Sequence, residues 1–278
     1  MELKDAIRDK YARAAIRVAG GGGGCCASAC CGPSGAGDPV TANLYDQEQV
    51  AEVPPEALRA SLGCGNPTAL AHLHPGETVL DLGSGGGIDV LLSAKRVGPT
   101  GKAYGLDITE EMLALARANQ HRAGVRNAEF LMGEIERIPL PDDSVDVIIS
   151  NCVINLSGEK DRVFAEAFRV LRPGGRLAVS DVVIQGEMPD DLRRSMELWV
   201  GCVAGALEVR EYAEKLGRAG FEAIGVEPTR VYRVDDAREF LSGCGVDVEA
   251  HAPRIDGRVM SAFIRARKPA ARQDRPRR

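Results

Sequence analysis

Val79-Leu80-Asp81-Leu82-Gly83-Ser84-Gly85-Gly86-Gly87 decides the fold. Apolar, strand-forming residues run straight into a glycine-rich turn, and a helical segment near 88–97 opens behind it. Glycines there let the backbone adopt angles closed to other residues and approach a ligand closely. Outward from this stretch, short apolar runs at Val79–Leu80, Ala103–Leu106, Glu129–Met132, Val145–Ser150 and Leu177–Val179 alternate with helical segments near 88–97, 109–123 and 160–171. That alternation predicts an α/β architecture with a doubly wound, mainly parallel sheet. Upstream, Leu3, Ile7, Tyr11, Ala14 and Val18 fall at helical spacing, so residues 2–18 read as an amphipathic helix. It ends at Gly20–Gly24, followed by Cys25, Cys26, Cys30 and Cys31 and a Gly/Pro/Ser stretch to Pro39, a composition expected to form a mobile loop. After Gly186 come helices near 190–206 and 208–219 and strand-like runs near 223–234 and 258–266, read as a smaller C-terminal α+β lobe. The expected division is an N-terminal segment over 1–63, a nucleotide-binding domain over 64–186 and a lobe over 187–278.

The chain has 278 residues, 44% hydrophobic and 27% charged, enough to bury a sizeable core. Its net charge is −5, and residues 265–278 carry seven basic side chains against Asp274 alone, so the body is distinctly acidic. An acidic body argues against nucleic acid or an anionic membrane as the main partner. No apolar run reaches the roughly 18 residues of a transmembrane helix, and charges interrupt Met1 to Val18, which gives an expectation of a cytoplasmic protein. Eight cysteines in such a compartment point to metal or metalloid binding, catalysis or redox cycling more than to structural disulfides.

A glycine loop alone does not choose between nucleotide cofactors. Asp81 precedes the first glycine, where a carboxylate meets the ammonium group of a methionine moiety and would repel a pyrophosphate. Asp107 closes Tyr104-Gly105-Leu106-Asp107, where an acid accepts both hydroxyls of a ribose. Together they favour S-adenosylmethionine over a nicotinamide dinucleotide. Thr109 reads as a helix N-cap with Glu110 and Glu111 in the first turn, and Gly124 ends that helix. Gly133-Glu134-Ile135-Glu136 follows the third strand, where a loop could meet an adenine edge, although a plain surface loop is the alternative.

Three cysteines occupy unusual settings. Cys152, in Ser150-Asn151-Cys152-Val153-Ile154-Asn155-Leu156, lies just past the carboxyl end of a central strand. Cys202 lies on a helix whose apolar stripe is Leu192, Met196, Trp199, Val203 and Leu207, flanked by Gly201 and Gly205. Cys64 sits between two glycines in Leu62-Gly63-Cys64-Gly65-Asn66-Pro67. Each alone can be a small buried hydrophobe. Three such residues at the rim of one cofactor pocket point instead to a soft, thiophilic ion, which thiolates select.

The order of these pieces resembles class I S-adenosylmethionine-dependent methyltransferases, with their Rossmann-like sheet, over about residues 65–185. The strings at 62–67, 81–85, 133–136, 149–156, 174–183 and 201–206 are more specifically similar to arsenite S-adenosylmethionine methyltransferases, across about residues 45–268. The resemblance implies methylation of trivalent arsenic, as arsenite or its glutathione conjugate and then as methylarsenite, for arsenic detoxification. Cys64, Cys152 and Cys202 would hold the arsenic, with Cys30 or Cys31 as a fourth functional thiol. A disulfide between Cys64 and Cys30 or Cys31 would be reopened by thioredoxin or glutathione. The cofactor contacts it implies are Asp81, Gly83, Ser84, Gly85, Gly87, Asp107, Ile108, Thr109, Met112, Gly133, Glu134, Ile135 and Asn151. It implies no metal cofactor and a monomer. Cys244 reads as an incidental surface thiol. Two alternatives stay open: a class I methyltransferase of another small-molecule nucleophile, and a non-enzymatic metalloid-binding or sensing protein.

Overall fold

The computed structural model describes residues 3–21, 44–186, 205–235, 254 and 256–271. The helices among these residues are α1 (Leu3–Ala19), α2 (Gln47–Glu52), α3 (Pro55–Arg59), α4 (Pro67–Leu70), α5 (Ile88–Val97), α6 (Glu110–Ala123), α7 (Lys160–Val170) and α8 (Val209–Arg218). A single 3-10 turn spans Ile154–Leu156. The strands are β1 (Thr78–Leu82), β2 (Lys102–Asp107), β3 (Ala128–Met132), β4 (Val145–Asn151), β5 (Leu171–Ile184), β6 (Leu207–Glu208), β7 (Glu222–Val231) and β8 (Val259–Arg267). They form one sheet in the order β3-β2-β1-β4-β5-β8-β7, with β6 pairing β5 off that path. None of the described helices is long and apolar enough to cross a membrane.

The parallel half follows from residue type. β1 and β4 read as nearly unbroken apolar runs because helices cover both faces of a parallel sheet, and Val79, Leu80, Leu82, Val147, Ile148 and Ile149 are all buried. Chain order reverses between β1 and β4, since β2 and β3 lie to one side of β1 and β4 and β5 to the other. The C-terminal strands, expected to form a lobe of their own, extend this same sheet. β8 runs antiparallel along β5 from Arg176↔Arg267 to Ile184↔Val259, and β7 pairs antiparallel with β8. The reason is the length of β5, whose buried residues Val182, Val183 and Ile184 continue well past the parallel register with β4 and need a second partner. Of the expected helix at 190–206, residues 187–204 lie outside the described residues; the next expected helix is α8.

α7 buries Val163, Phe164, Ala167 and Val170 at helical spacing against the sheet. α8 returns Tyr212 and Leu216 to the same cluster, with the Phe164 and Tyr212 rings 5.3 Å apart. Phe164 is therefore the side chain that ties the parallel half to the C-terminal segment. Phe164→Ala is expected to cost about 3–5 kcal/mol by removing its burial and leaving a cavity. Urea denaturation will read this as a lower midpoint at unchanged slope.

Candidate active site

The reversal between β1 and β4 opens a crevice at the carboxyl ends of the strands, where ligands bind in open α/β sheets. Here it is a cavity enclosing about 980 Å3 with its open mouth included, lined by the β1 turn, the ends of β2 and β4, the loop after α3, and parts of α1, α5 and α6. The turn is held by β2. Gly83 and Ser84 donate their N–H groups to the Leu106 carbonyl at 2.8 and 3.0 Å, and Gly85 N–H reaches Asp107 Oδ2 at 2.9 Å. Asp107 Oδ1 accepts from Thr109 N–H at 2.9 Å, while Thr109 occupies the N-cap of α6 without a side-chain cap bond. Asp107 thus braces the turn before any ribose arrives, and each of its oxygens keeps acceptor capacity for a hydroxyl.

Asp81, Gly83, Ser84, Gly85, Ile108, Thr109, Met112, Gly133, Ile135 and Asn151 line the cavity as expected contacts would. Gly87 and Glu134 are not among the lining residues. Gly87, at φ +88°, starts α5, and a Cβ there would press on the Phe130 ring at 2.9 Å. Its role is to let helix and strand pack. Glu134 points outward into an ion pair with Lys4 at 2.9 Å, and Glu136 lines the cavity in its place. Residues the sequence reading missed include Lys4, Ile7, Tyr11, Asp89 and Ser157. For Ile7 and Tyr11 the helical stripe was a signal, but of a buried face and not of this cavity.

The electrostatics of the cavity are those of a cation site. Asp81, Asp89 and Ser84 are buried, and Asp81 Oδ1, Asp89 Oδ1 and Ser84 Oγ have no hydrogen-bond partner among the described residues. Burial pushes the Asp81 carboxyl well above its ordinary value, with the charges of Asp89 and Asp107 adding to it. Burial also pushes Asp89 up to about 6, against hydrogen bonds from Asn151 and Tyr45 that favour its ionised form. Buried acceptors without donors are costly. S-adenosylmethionine answers both needs, since its ammonium is a donor and its sulfonium a second positive charge.

Cys152 lines the cavity at the β4 end. Its N–H still bonds the Ser180 carbonyl at 2.8 Å, continuing the β4–β5 ladder, but its φ is +60°, a left-handed conformation that disfavours a residue with a Cβ. The chain turns there into the 3-10 turn, and the side chain meets Cys64. The two form a disulfide with Cα atoms 5.9 Å apart and a sequence separation of 88. The disulfide partner of Cys64 in the structure is thus Cys152, not Cys30 or Cys31. Cys25, Cys26, Cys30, Cys31, Cys202 and Cys244 lie outside the described residues.

The neighbour of Cys152 fixes this meeting. Asn151 Oδ1 accepts from the N–H groups of Cys64 and Gly65 at 2.9 and 3.2 Å, and its amide nitrogen donates to the Gly65 carbonyl at 2.7 Å. A Cβ on Gly63 would strike the Asn151 amide, so the approach depends on glycine. The same amide nitrogen lies 3.4 Å from both Tyr45 Oη and Asp89 Oδ2, and the Tyr45 hydroxyl donates to Asp89 at 3.1 Å. Asn151, expected as a cofactor contact, is also the clamp of the cysteine loop.

A raised carboxyl pKa means that the folded state holds its proton more tightly than the unfolded chain does. Stability is then greatest at low pH and is lost as pH rises from about 4, the unfolded value, through the folded value. The free protein is therefore expected to melt at progressively lower temperature from pH 5 to pH 8. A bound ammonium favours the ionised Asp81, so the stabilisation added by S-adenosylmethionine grows over the same interval. Thermal melts with and without it at each pH check this, and Asp81→Asn is expected to flatten the growth.

Comparison with known proteins places the chain. A family described as a methyltransferase domain matches residues 73–220. The arsenite methyltransferase of Halobacterium salinarum is 47% identical over 226 residues, 81% of this chain and 55% of that protein. A solved structure from Chlamydomonas reinhardtii, an arsenic(III) S-adenosylmethionine methyltransferase, superposes with a TM-score of 0.65 at 32% identity, covering 81% of this chain and 73% of that one. A phosphoethanolamine N-methyltransferase from Haemonchus contortus, solved with S-adenosylmethionine, shares the fold at a TM-score of 0.59 and 18% identity, over 74% of this chain and 53% of its own. The chain spans about half the length of the curated relatives it matches, 55%, 51% and 49% for the first three. With its nucleotide crevice and its glycine turn, the chain belongs to the methyltransferase domain family, in the branch that holds the arsenic(III) S-adenosylmethionine methyltransferases.

Proposed function

We propose that this protein transfers a methyl group from S-adenosylmethionine to trivalent arsenic held by cysteine thiolates, taking arsenite to methyl- and dimethylarsenicals. The observation that carries the reading is the meeting of Cys64 and Cys152, two thiols brought together from distant parts of the chain at the wall of the cofactor cavity. When bound, S-adenosylmethionine supplies an electrophilic methyl group. Asp81 would hold the ammonium end and Asp107 the ribose, and Cys152 lines the same cavity. Val153 and Leu156 close that end with apolar surface and keep water out.

The disulfide must open before these sulfurs can act. Two electrons and two protons from thioredoxin or glutathione give two thiols, which displace hydroxide from arsenite or glutathione from its conjugate, with Cys202 as the third ligand. Arsenic so held keeps its lone pair and is itself the nucleophile. That pair forms the As–C bond as the methyl–sulfonium bond breaks and leaves its electrons on sulfur. No general base takes part. The arsenic is formally oxidised by two electrons, and a pair of thiols returns them by closing a disulfide. Alignment and exclusion of water are what the enzyme contributes. Removal of arsenite by this route is a detoxification.

Methylation of arsenite by the purified chain with S-adenosylmethionine and either reductant, with chromatographic speciation of the products, tests the reading. Methylated arsenic is expected from the parent, and at least about a hundredfold less from Cys152→Ser or Cys202→Ser, because losing a ligand removes the alignment. Full arsenite methylation by both variants would mean that Cys152 and Cys202 do not hold the arsenic, and no methylarsenical from a parent that binds S-adenosylmethionine would mean that the methyl goes to another nucleophile. Arsenite binding without any methylated product would leave a metalloid-binding protein.

A further inference from the structure

We infer that α1 is the outer wall of the cofactor cavity, and that it retains the nucleoside half of S-adenosylmethionine through Ile7 and Tyr11 while the Lys4 ion pairs fasten it shut. This rests on the cofactor reading of the cavity given above. Lys4, Ile7 and Tyr11 recur at intervals of three and four, which puts them on one face of α1, and all three line the cavity. Further along the same face Ala14, Ala15 and Val18 are buried against Ala60, Met112 and Leu115. The carboxyl half of α1 is thus rooted in the core beside α6, and the amino half reaches over the opening.

What fastens the amino half is electrostatic. Lys4 Nζ lies 2.9 Å from Glu134 and 3.5 Å from Glu136, both in the loop after β3. Glu136 is buried and also accepts from Ser157 Oγ at 2.6 Å, and Ser157 follows the 3-10 turn behind Cys152. Gly133 and Ile135 of the same loop, with Asp107 and Met112, form the inner wall at the ribose end. Among the described residues α1 lies across the cavity from that wall, and an aromatic ring and a branched aliphatic chain suit the face of a purine. Because α1 is in place over the cavity, its amino half stands in the way of ligand exchange, and the helix acts chiefly on the rate of escape.

Stopped-flow dissociation of S-adenosylhomocysteine from the full chain tests this, using Lys4→Glu, Tyr11→Ala and the charge-swapped pair Lys4→Glu/Glu134→Lys. Dissociation is expected to accelerate about tenfold in Lys4→Glu and in Tyr11→Ala, and to slow again in the swapped pair. In the parent, added salt is expected to speed dissociation, because a half-exposed ion pair is screened. Parent-like dissociation in both single variants overturns the inference, and so does a loss in Lys4→Glu that the swap fails to restore. Asp107→Ala separates this from the cofactor reading. If the parent binds and Asp107→Ala does not, parent-like α1 variants sink only the role of α1. If the parent does not bind at all, the cofactor reading fails and takes this inference with it.

Discussion

Three carboxyl groups, Asp81, Asp89 and Asp107, are crowded at the ends of β1 and β2 and the start of α5, and burial raises the pKa of each. Removing carboxylates from water is among the most costly things a fold does. Much of the surrounding architecture moderates that cost. Backbone N–H groups of Gly85 and Thr109 bond Asp107, Tyr45 and Asn151 bond Asp89, and the glycines of the turn let the N–H groups come that close. Asp81 receives the least relief, with one oxygen lacking a partner among the described residues. A fold that merely needed to be stable would replace it with an apolar side chain. The energy withheld from folding at Asp81 is recovered when a cationic ligand arrives, which is how strain at a site becomes affinity.

The parts of the site that were legible in the sequence are those made by neighbours in the chain. The β1 turn and Asp81 lie within one stretch of nine residues, and Asp107 closes the next strand, so local pattern suffices to place them. The cysteines were legible as chemistry but not as geometry. No spacing rule foretells that Cys152 takes a left-handed φ, since that angle follows from the ladder bond to Ser180 on one side and the 3-10 turn on the other. Nor does sequence show that Asn151 serves Cys64, because its partners stand 86 and 87 residues away. Glu134 and Glu136 invert expectation for a similar reason. Both follow β3, but the bridge between Glu134 and Arg137 turns that short loop so that Glu136 goes inward and Glu134 meets Lys4.

The same distinction holds for the sheet. Alternation of strand and helix reads out the parallel half, in which β1 with β2, β2 with β3 and β4 with β5 are successive strands and only the β1–β4 pair skips along the chain. The place of β8 does not follow from alternation, because its partner β5 lies far back in the chain and the pairing is antiparallel. The cue was the unbroken apolar run of β5 from Leu177 through Ile184, interrupted only by Ser180 and Asp181 and too long for one parallel neighbour. Its one charged residue, Asp181, is fully buried, held near the Tyr212 hydroxyl at 3.5 Å, and burial pushes it up to about 8. A neutral acid at mid-strand is read by sequence as a surface position, which disguised the strand's double burial.

Asn151 joins the two halves of the chemistry. One face of its amide holds the backbone of the Cys64 loop, and the other touches the Tyr45–Asp89 pair in the cavity wall. Any charge that arrives beside Asp81 and Asp89 therefore acts on a hydrogen bond shared with the loop that carries Cys64. The Cys64–Cys152 pair and the cavity are therefore joined through one side chain. They share the amide of Asn151, the last residue of β4, so the strand that pairs with both β1 and β5 carries the link between them.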